Sequence, residues 1–191
     1  MNYYELFPKY KRSLFFFFNK EKSNISGFEF TKGKKIKLAN TLYYKVEKID
    51  SYLDEYDYLP VSSGPPLVSK KFKELFNDLE KEHQIQFFKT VIEDEKENFN
   101  NNFFVLNILN VISCLDKERS IFEEENYYGI KYLKIKKLYI LPNKLVDHKI
   151  IKLEEDDDKI IVTEEFKKRC ISAKLKGLDF VPEGYSIYTD I

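Results

Sequence analysis

At 191 residues the chain has material for one large domain or two small, closely packed ones. A fold of that size buries about 70% of its unfolded surface, so no disulfide or metal staple is required. The 32 basic and 32 acidic residues cancel, which argues against direct nucleic-acid binding, where a basic surplus is the rule. The abundance of Lys, Ile, Asn, Phe and Tyr matches the coding bias of an AT-rich genome, so tyrosine or lysine counts alone carry little weight.

Residues 1–60 read as a β-rich N-terminal subdomain. No basic segment followed by a long apolar stretch opens the chain, so no signal peptide is expected and the location reads as cytoplasmic. Leu14–Phe18 is a five-residue apolar run, too short for a bilayer and consistent with a strand buried on both faces. Gly27–Phe30 and Lys35–Leu38 alternate weakly, and Gly33-Lys34 between them reads as a hairpin turn. Thr41–Val46 is a further strand. Ile49, Leu53 and Tyr56 share one helical face, which predicts a short helix over Ile49–Leu59.

Pro60–Pro66 reads as a loop or linker and marks a boundary. Beyond it, residues 61–191 read as an α+β domain, unless the two parts form one continuous domain. Gly64-Pro65-Pro66 forces an irregular connection, and Ser69 then caps a helix over Lys70–Lys81 with Phe72, Leu75, Phe76 and Leu79 on one face. Ile85–Ile92 is a strand, Glu93–Asn102 a charged turn, and Phe103–Ser113 a central, twice-buried strand. Tyr127–Leu133 and Lys134–Leu141 alternate, with Ile135, Leu138 and Ile140 inward. Lys149–Leu153, the acidic turn Glu154–Asp158 and Lys159–Val162 form a hairpin. Thr163 caps a second helix running to Lys174, with Glu164 and Glu165 in its favourable first turn. Gly177 is expected at the left-handed position that ends this helix, and Leu178–Val181 is the last strand. The predicted fold is α+β, a mixed or mostly antiparallel sheet with two principal helices. Phe72, Leu75, Phe76, Val105, Leu106, Ile108, Leu109, Val111, Phe166 and Cys170 are expected in the core.

Catalytic chemistry finds little support. His83 and His148 lack a second ligand at metal-binding spacing. Cys114 and Cys170 sit in apolar surroundings, outside any CxxC, and read as buried, reduced, inert thiols. Carboxylates crowd into hydrophilic runs at Glu93–Glu97, Glu123–Glu125 and Glu154–Asp158, away from the partly buried settings that tune general acids and bases. Six scattered glycines build no phosphate cradle. No cofactor or metal is expected.

One segment suits a protein partner. Asp50–Tyr58 interleaves Asp50, Asp54, Glu55 and Asp57 with Tyr56 and Tyr58. Tyrosine offers contact area at low entropic cost, and acids complement a basic partner. The competing explanation is a solvated face whose tyrosines pack inward.

Four segments, in order, carry a family resemblance. Tyr56–Leu59 with Gly64–Phe72 is similar to an opening D-x-L … P-L-V-S-E-K pattern. Ile85–Phe88, Leu106–Asp116 and Ser120 are similar to its central strands and following loop. Ile160–Lys167 resembles a late strand-into-helix element, and Lys176–Phe180 a closing T-G-L-x-F. These resemble the immunity proteins of bacterial polymorphic toxin systems, the group numbered eleven, with the group numbered forty-three similar as well. Departures are Ser113 where an acid is frequent, Lys70 in place of Glu, and Ile151-Lys152-Leu153 in place of Phe-Arg-Leu. Residues 1–55 lie outside the resemblance. It implies a non-catalytic protein that binds and neutralises the effector domain of a cognate toxin encoded beside it, with no cofactor and no membrane or nucleic-acid partner. A general interaction or structural domain, and an enzyme with an unrecognised site, are the alternatives.

Overall fold

The computed structural model describes residues 2–10, 14–127 and 130–187. In chain order its strands are β1 (Tyr3–Pro8), β2 (Phe16–Phe18), β3 (Leu42–Val46), β4 (Tyr58–Leu59), β5 (Val61–Ser63), β6 (Leu67–Ser69), β7 (Ile85–Asp94), β8 (Phe99–Asn100), β9 (Phe103–Ile108), β10 (Val111–Ile112), β11 (Ile121–Tyr127), β12 (Ile130–Lys137), β13 (Ile150–Leu153), β14 (Asp156–Thr163) and β15 (Leu178–Pro182). The helices are α1 (Lys20–Ser23), α2 (Lys70–Leu75), α3 (Asn77–Lys81) and α4 (Glu164–Ser172).

The fold is α+β, with mixed sheets. One sheet has the order β10-β13-β14-β1-β15, and an eight-stranded sheet runs β4-β6-β9-β7-β3-β2-β5 with β8 beside β7. Strands β11 and β12 form a separate antiparallel ribbon. The larger sheet takes strands from both sides of residue 60, because β3 pairs parallel with β7 and β2 pairs parallel with β5.

Strand β9 explains how the two sheets share one interior. Phe103 and Val105 enter one core cluster with Phe16, Phe30, Leu42, Tyr44 and Ile92. Leu106 and Ile108 enter another with Tyr4, Ile150, Val162, Phe72, Phe76 and Phe166. The central strand expected over Phe103–Ser113 is therefore twice buried only to Ile108. The chain then bends at Leu109-Asn110 and crosses to the smaller sheet, where Val111 pairs with Lys152. The bend leaves Leu109 and Val111 half-buried rather than in the core.

Ser69 caps α2 as expected, its Oγ accepting the Phe72 N–H at 3.1 Å. The single helix expected over Lys70–Lys81 is broken at Phe76 (φ −110°, ψ 24°) into α2 and α3. The break turns the Phe76 ring flat against Phe166, with centroids 4.1 Å apart and planes 7° from parallel, and it leaves Leu75 only half-buried. Helix α3 ends with His83 in a left-handed conformation while the Gln84 N–H reaches the Leu79 carbonyl. Thr163 caps α4 through the Phe166 N–H. The left-handed residue that ends α4 is Lys174 (φ 52°), and the Leu175 N–H closes on the Cys170 carbonyl. Gly177 does have a positive φ of 91°, but for another reason: a Cβ there would stand 2.3 Å from the Tyr58 carbonyl oxygen.

Other expectations are corrected by competing partners. Gly27–Thr31 is a 3-10 helix rather than a strand. Lys35–Leu38 is irregular, because the Gln86 side-chain amide takes the Ile36 N–H and carbonyl that a hairpin would use. Leu14–Phe18 is not buried on both faces, since Phe16 is fully buried while Phe15 and Phe17 are more than half exposed. Ile49–Leu59 forms only one 3-10 turn, Leu53–Glu55, before β4. The alternating segments Tyr127–Leu133 and Lys134–Leu141 are not two strands: β12 takes parts of both, and its partner β11 lies upstream in the acidic run Glu123–Glu125, with residues 128–129 outside the described residues.

Phe76→Ala should cost about 3–5 kcal/mol in urea melts, whereas half-buried Leu75→Ala should cost less than about 2 kcal/mol. Equal losses would contradict the broken-helix packing. Gly177→Ala combines an unfavourable φ with a backbone collision and should cost more than about 1 kcal/mol.

Candidate functional site

The Asp50–Tyr58 segment divides sharply into a surface part and a structural part. Asp54 and Glu55 are exposed and Tyr56 half-buried, while Asp57 and Tyr58 are buried. Asp50 accepts the Tyr52 N–H at 3.0 Å and so starts the turn. Tyr52 is 50% exposed beside it.

Asp57 is a fastener rather than a surface acid. Its Oδ1 accepts from Ser69 Oγ at 2.6 Å and its Oδ2 from the Lys176 N–H at 2.8 Å. Its own N–H donates to the Lys176 carbonyl, and its carbonyl accepts the Ser69 N–H. The Tyr58 ring lies in the core, where burial pushes the phenol pKa up. Tyr56 packs edge-on against Tyr10 at 4.6 Å. Asp57 and Tyr58 thus support the segment from behind, and Asp54, Glu55 and the outer edge of Tyr56 face solvent.

A neighbouring element that the sequence shows only as a charged turn joins this surface. The Asn100 and Asn102 side-chain amides donate to Asp54 Oδ1 at 2.9 and 3.1 Å. Asp94 fixes the turn itself, accepting the Lys96 and Asn98 N–H groups at 2.9 Å and the Ile49 N–H at 3.1 Å. Those bonds, led by the Asn98 side chain, hold the Asp94 carboxyl down at about 2. The one available sequence signal was Phe99, a lone aromatic in the polar run Glu93–Asn102.

A second concave region lies where the smaller sheet meets the Pro60–Pro66 segment, which is not the loop expected but carries strand β5. A cavity of about 340 Å³ there is lined by Tyr58, Ser62, Lys152, Asp157 and Asp158 among others. Lys152 is only 6% exposed, and burial lowers its pKa against the pull of Asp157 and Asp158. The acidic turn expected over Glu154–Asp158 is only Glu154-Glu155, and at Asp156, where β14 begins, burial raises the carboxyl to about 6.

Burial likewise pushes the Cys114 and Cys170 thiols up to about 12, far from the reactive thiolate range. His83 serves as the turn residue after α3. The His148 N–H donates to the Leu145 carbonyl. Among the described residues no three His, Cys, Asp or Glu side chains converge as a metal site, and no helix is long and apolar enough to cross a membrane.

An α+β scaffold whose exposed candidate side chains are acids and tyrosines is suited to contact with another protein. The chain belongs to the Immunity protein family (Imm11), whose model matches residues 18–184. The match extends well upstream of Tyr56, into the β-rich N-terminal part. Membership places the chain among toxin-neutralising immunity proteins, a generally non-catalytic group whose partner is a toxin protein. Among curated proteins, none matches the chain.

Asp156 yields a pH test. Its folded pKa lies above its ordinary value, so its contribution is most favourable below pH about 4 and is lost as pH rises through about 6. Asp156→Asn should therefore stabilise the protein at pH 7 and leave it unchanged at pH 4 in urea melts. An equal difference at both pH values would show that ionisation is not the cause.

Proposed function

We propose that this protein neutralises a cognate bacterial toxin by binding its C-terminal effector domain in the cytoplasm of the producing cell, without catalysing a reaction. The observation that carries the reading is the family match over residues 18–184. The inert setting of both thiols supports a binding rather than a chemical role. Many toxins of polymorphic systems act on nucleic acids and are basic. The acids of the Asp50–Tyr58 segment would speed encounter with such a domain. In this reading Asp50, Asp54, Glu55 and the exposed edge of Tyr56 meet the toxin, while Asp57 and Tyr58 hold them in place.

The test is co-expression with the C-terminal domain of the toxin encoded beside this gene. Growth should be rescued, and the purified proteins should form a complex. Charge reversal by Asp54→Lys with Glu55→Lys should slow association and flatten its dependence on salt. Growth that is never rescued, with no complex formed, would overturn the neutralising role.

A further inference from the structure

We propose that the solvent face of strands β2, β3, β7 and β8 is the principal docking surface for a basic face of the toxin's effector domain, with Phe17 and Phe99 as its anchors. The proposal rests on the toxin-neutralising reading and places its contact beyond the Asp50–Tyr58 segment.

Registers across these four strands align one row of side chains. Phe17 pairs with Lys45, Lys45 with Glu93, and Glu93 with Phe99. Paired residues point to the same face of a sheet. The chain neighbours of this row, Phe16, Tyr44, Val46, Ile92 and Asn100, are buried on the opposite face. Phe17 and Phe99 are nonetheless 51% and 58% exposed. Three strand spacings separate them by about 14 Å. Two phenylalanines held this far apart on a rigid sheet supply large contact area with little side-chain entropy to lose.

Charge selects the partner. Phe17 borders a cavity of about 640 Å³ whose lining includes Glu47, Glu93, Glu95 and Glu97, with Lys22 and Lys45 as its basic groups among the described residues. Lys22 already pairs with Glu93 at 2.5 Å, so Glu47, Glu95 and Glu97 leave an acidic excess around an apolar anchor. Exposed apolar rings rimmed by like-charged acids fit a lysine- or arginine-rich surface with apolar recesses. Asp94 fixes the turn that carries Glu95 and Glu97, so the acids are presented in an ordered geometry.

The experiment measures binding of the full chain to the effector domain of the adjacent toxin by surface plasmon resonance. Two variants are compared with the unmodified chain: Phe17→Ala with Phe99→Ala, and Glu47→Lys with Glu95→Lys. All four positions are exposed, and thermal melts establish that both variants fold. The phenylalanine pair should weaken affinity at least tenfold, through faster dissociation. The glutamate pair should slow association at least tenfold at low salt, and the difference should shrink as salt rises. Affinity within twofold of the unmodified chain for both variants would overturn the docking surface while leaving neutralisation intact. No binding by the unmodified chain would overturn the toxin-neutralising reading and this surface with it. A dimer of this chain that dissociates on Phe17→Ala with Phe99→Ala would make the face a self-interface and overturn the proposal.

Discussion

The buried carboxylate of Asp57 is the constraint on which the arrangement of the chain depends. One residue satisfies the cap of α2 through Ser69, the backbone at Lys176 and the edge of β6. These contacts join segments more than a hundred residues apart. Their geometry also accounts for Gly177, because a chain clasped this tightly against Tyr58 leaves no room for a Cβ. A carboxylate held in this way is satisfied only while all of its donors remain in place, and removing one leaves a buried charge short of partners. Asp54 and Glu55, just before it in the sequence, are exposed while Asp57 anchors the chain behind them.

The second organising element is aromatic. Phe72, Phe76 and Phe166 bring the α2–α3 pair and α4 onto a common core, with ring centroids from 4.1 to 6.2 Å apart. Arg169 closes the outer side, lying 4.7 Å over the Phe76 ring and making a forked contact to Asp78 at 2.7 Å. That pairing holds the Asp78 carboxyl below its ordinary range. Short helices such as α2 and α3 are unstable alone and persist here through this packing. The outcome is that three short helices share one aromatic contact instead of standing alone.

Much of the fold was legible in the sequence where local pattern and tertiary demand agree. Ser69 and Thr163 announce their helices because a cap hydrogen bond is a local event. The strands of β3, β7 and β9 follow from β-branched and aromatic runs. Failures arose where a distant group took over the backbone. Gln86 replaces a strand partner for Ile36, and the Phe76–Phe166 stack divides a helix that periodicity draws as continuous. The candidate site was only partly legible for the same reason. Nothing local distinguishes Asp54 from Asp57, yet one meets surface asparagines and the other meets Ser69 and Lys176. The run Leu14–Phe18 hid its two exposed rings because composition records apolarity and not direction.

Strand β1 lies inside the smaller sheet, paired on one side with β14 and on the other with β15. It is synthesised long before its partners, because β14 and β15 are encoded far downstream of it. During synthesis Tyr3–Pro8 has no sheet partner until β14 has emerged, and its second side stays open until β15 follows. Contacts of such long sequence separation close late and slowly. Completion of the smaller sheet would lag synthesis of β1 until β15 has been made, and removing β15 would leave β1 as an exposed edge of that sheet.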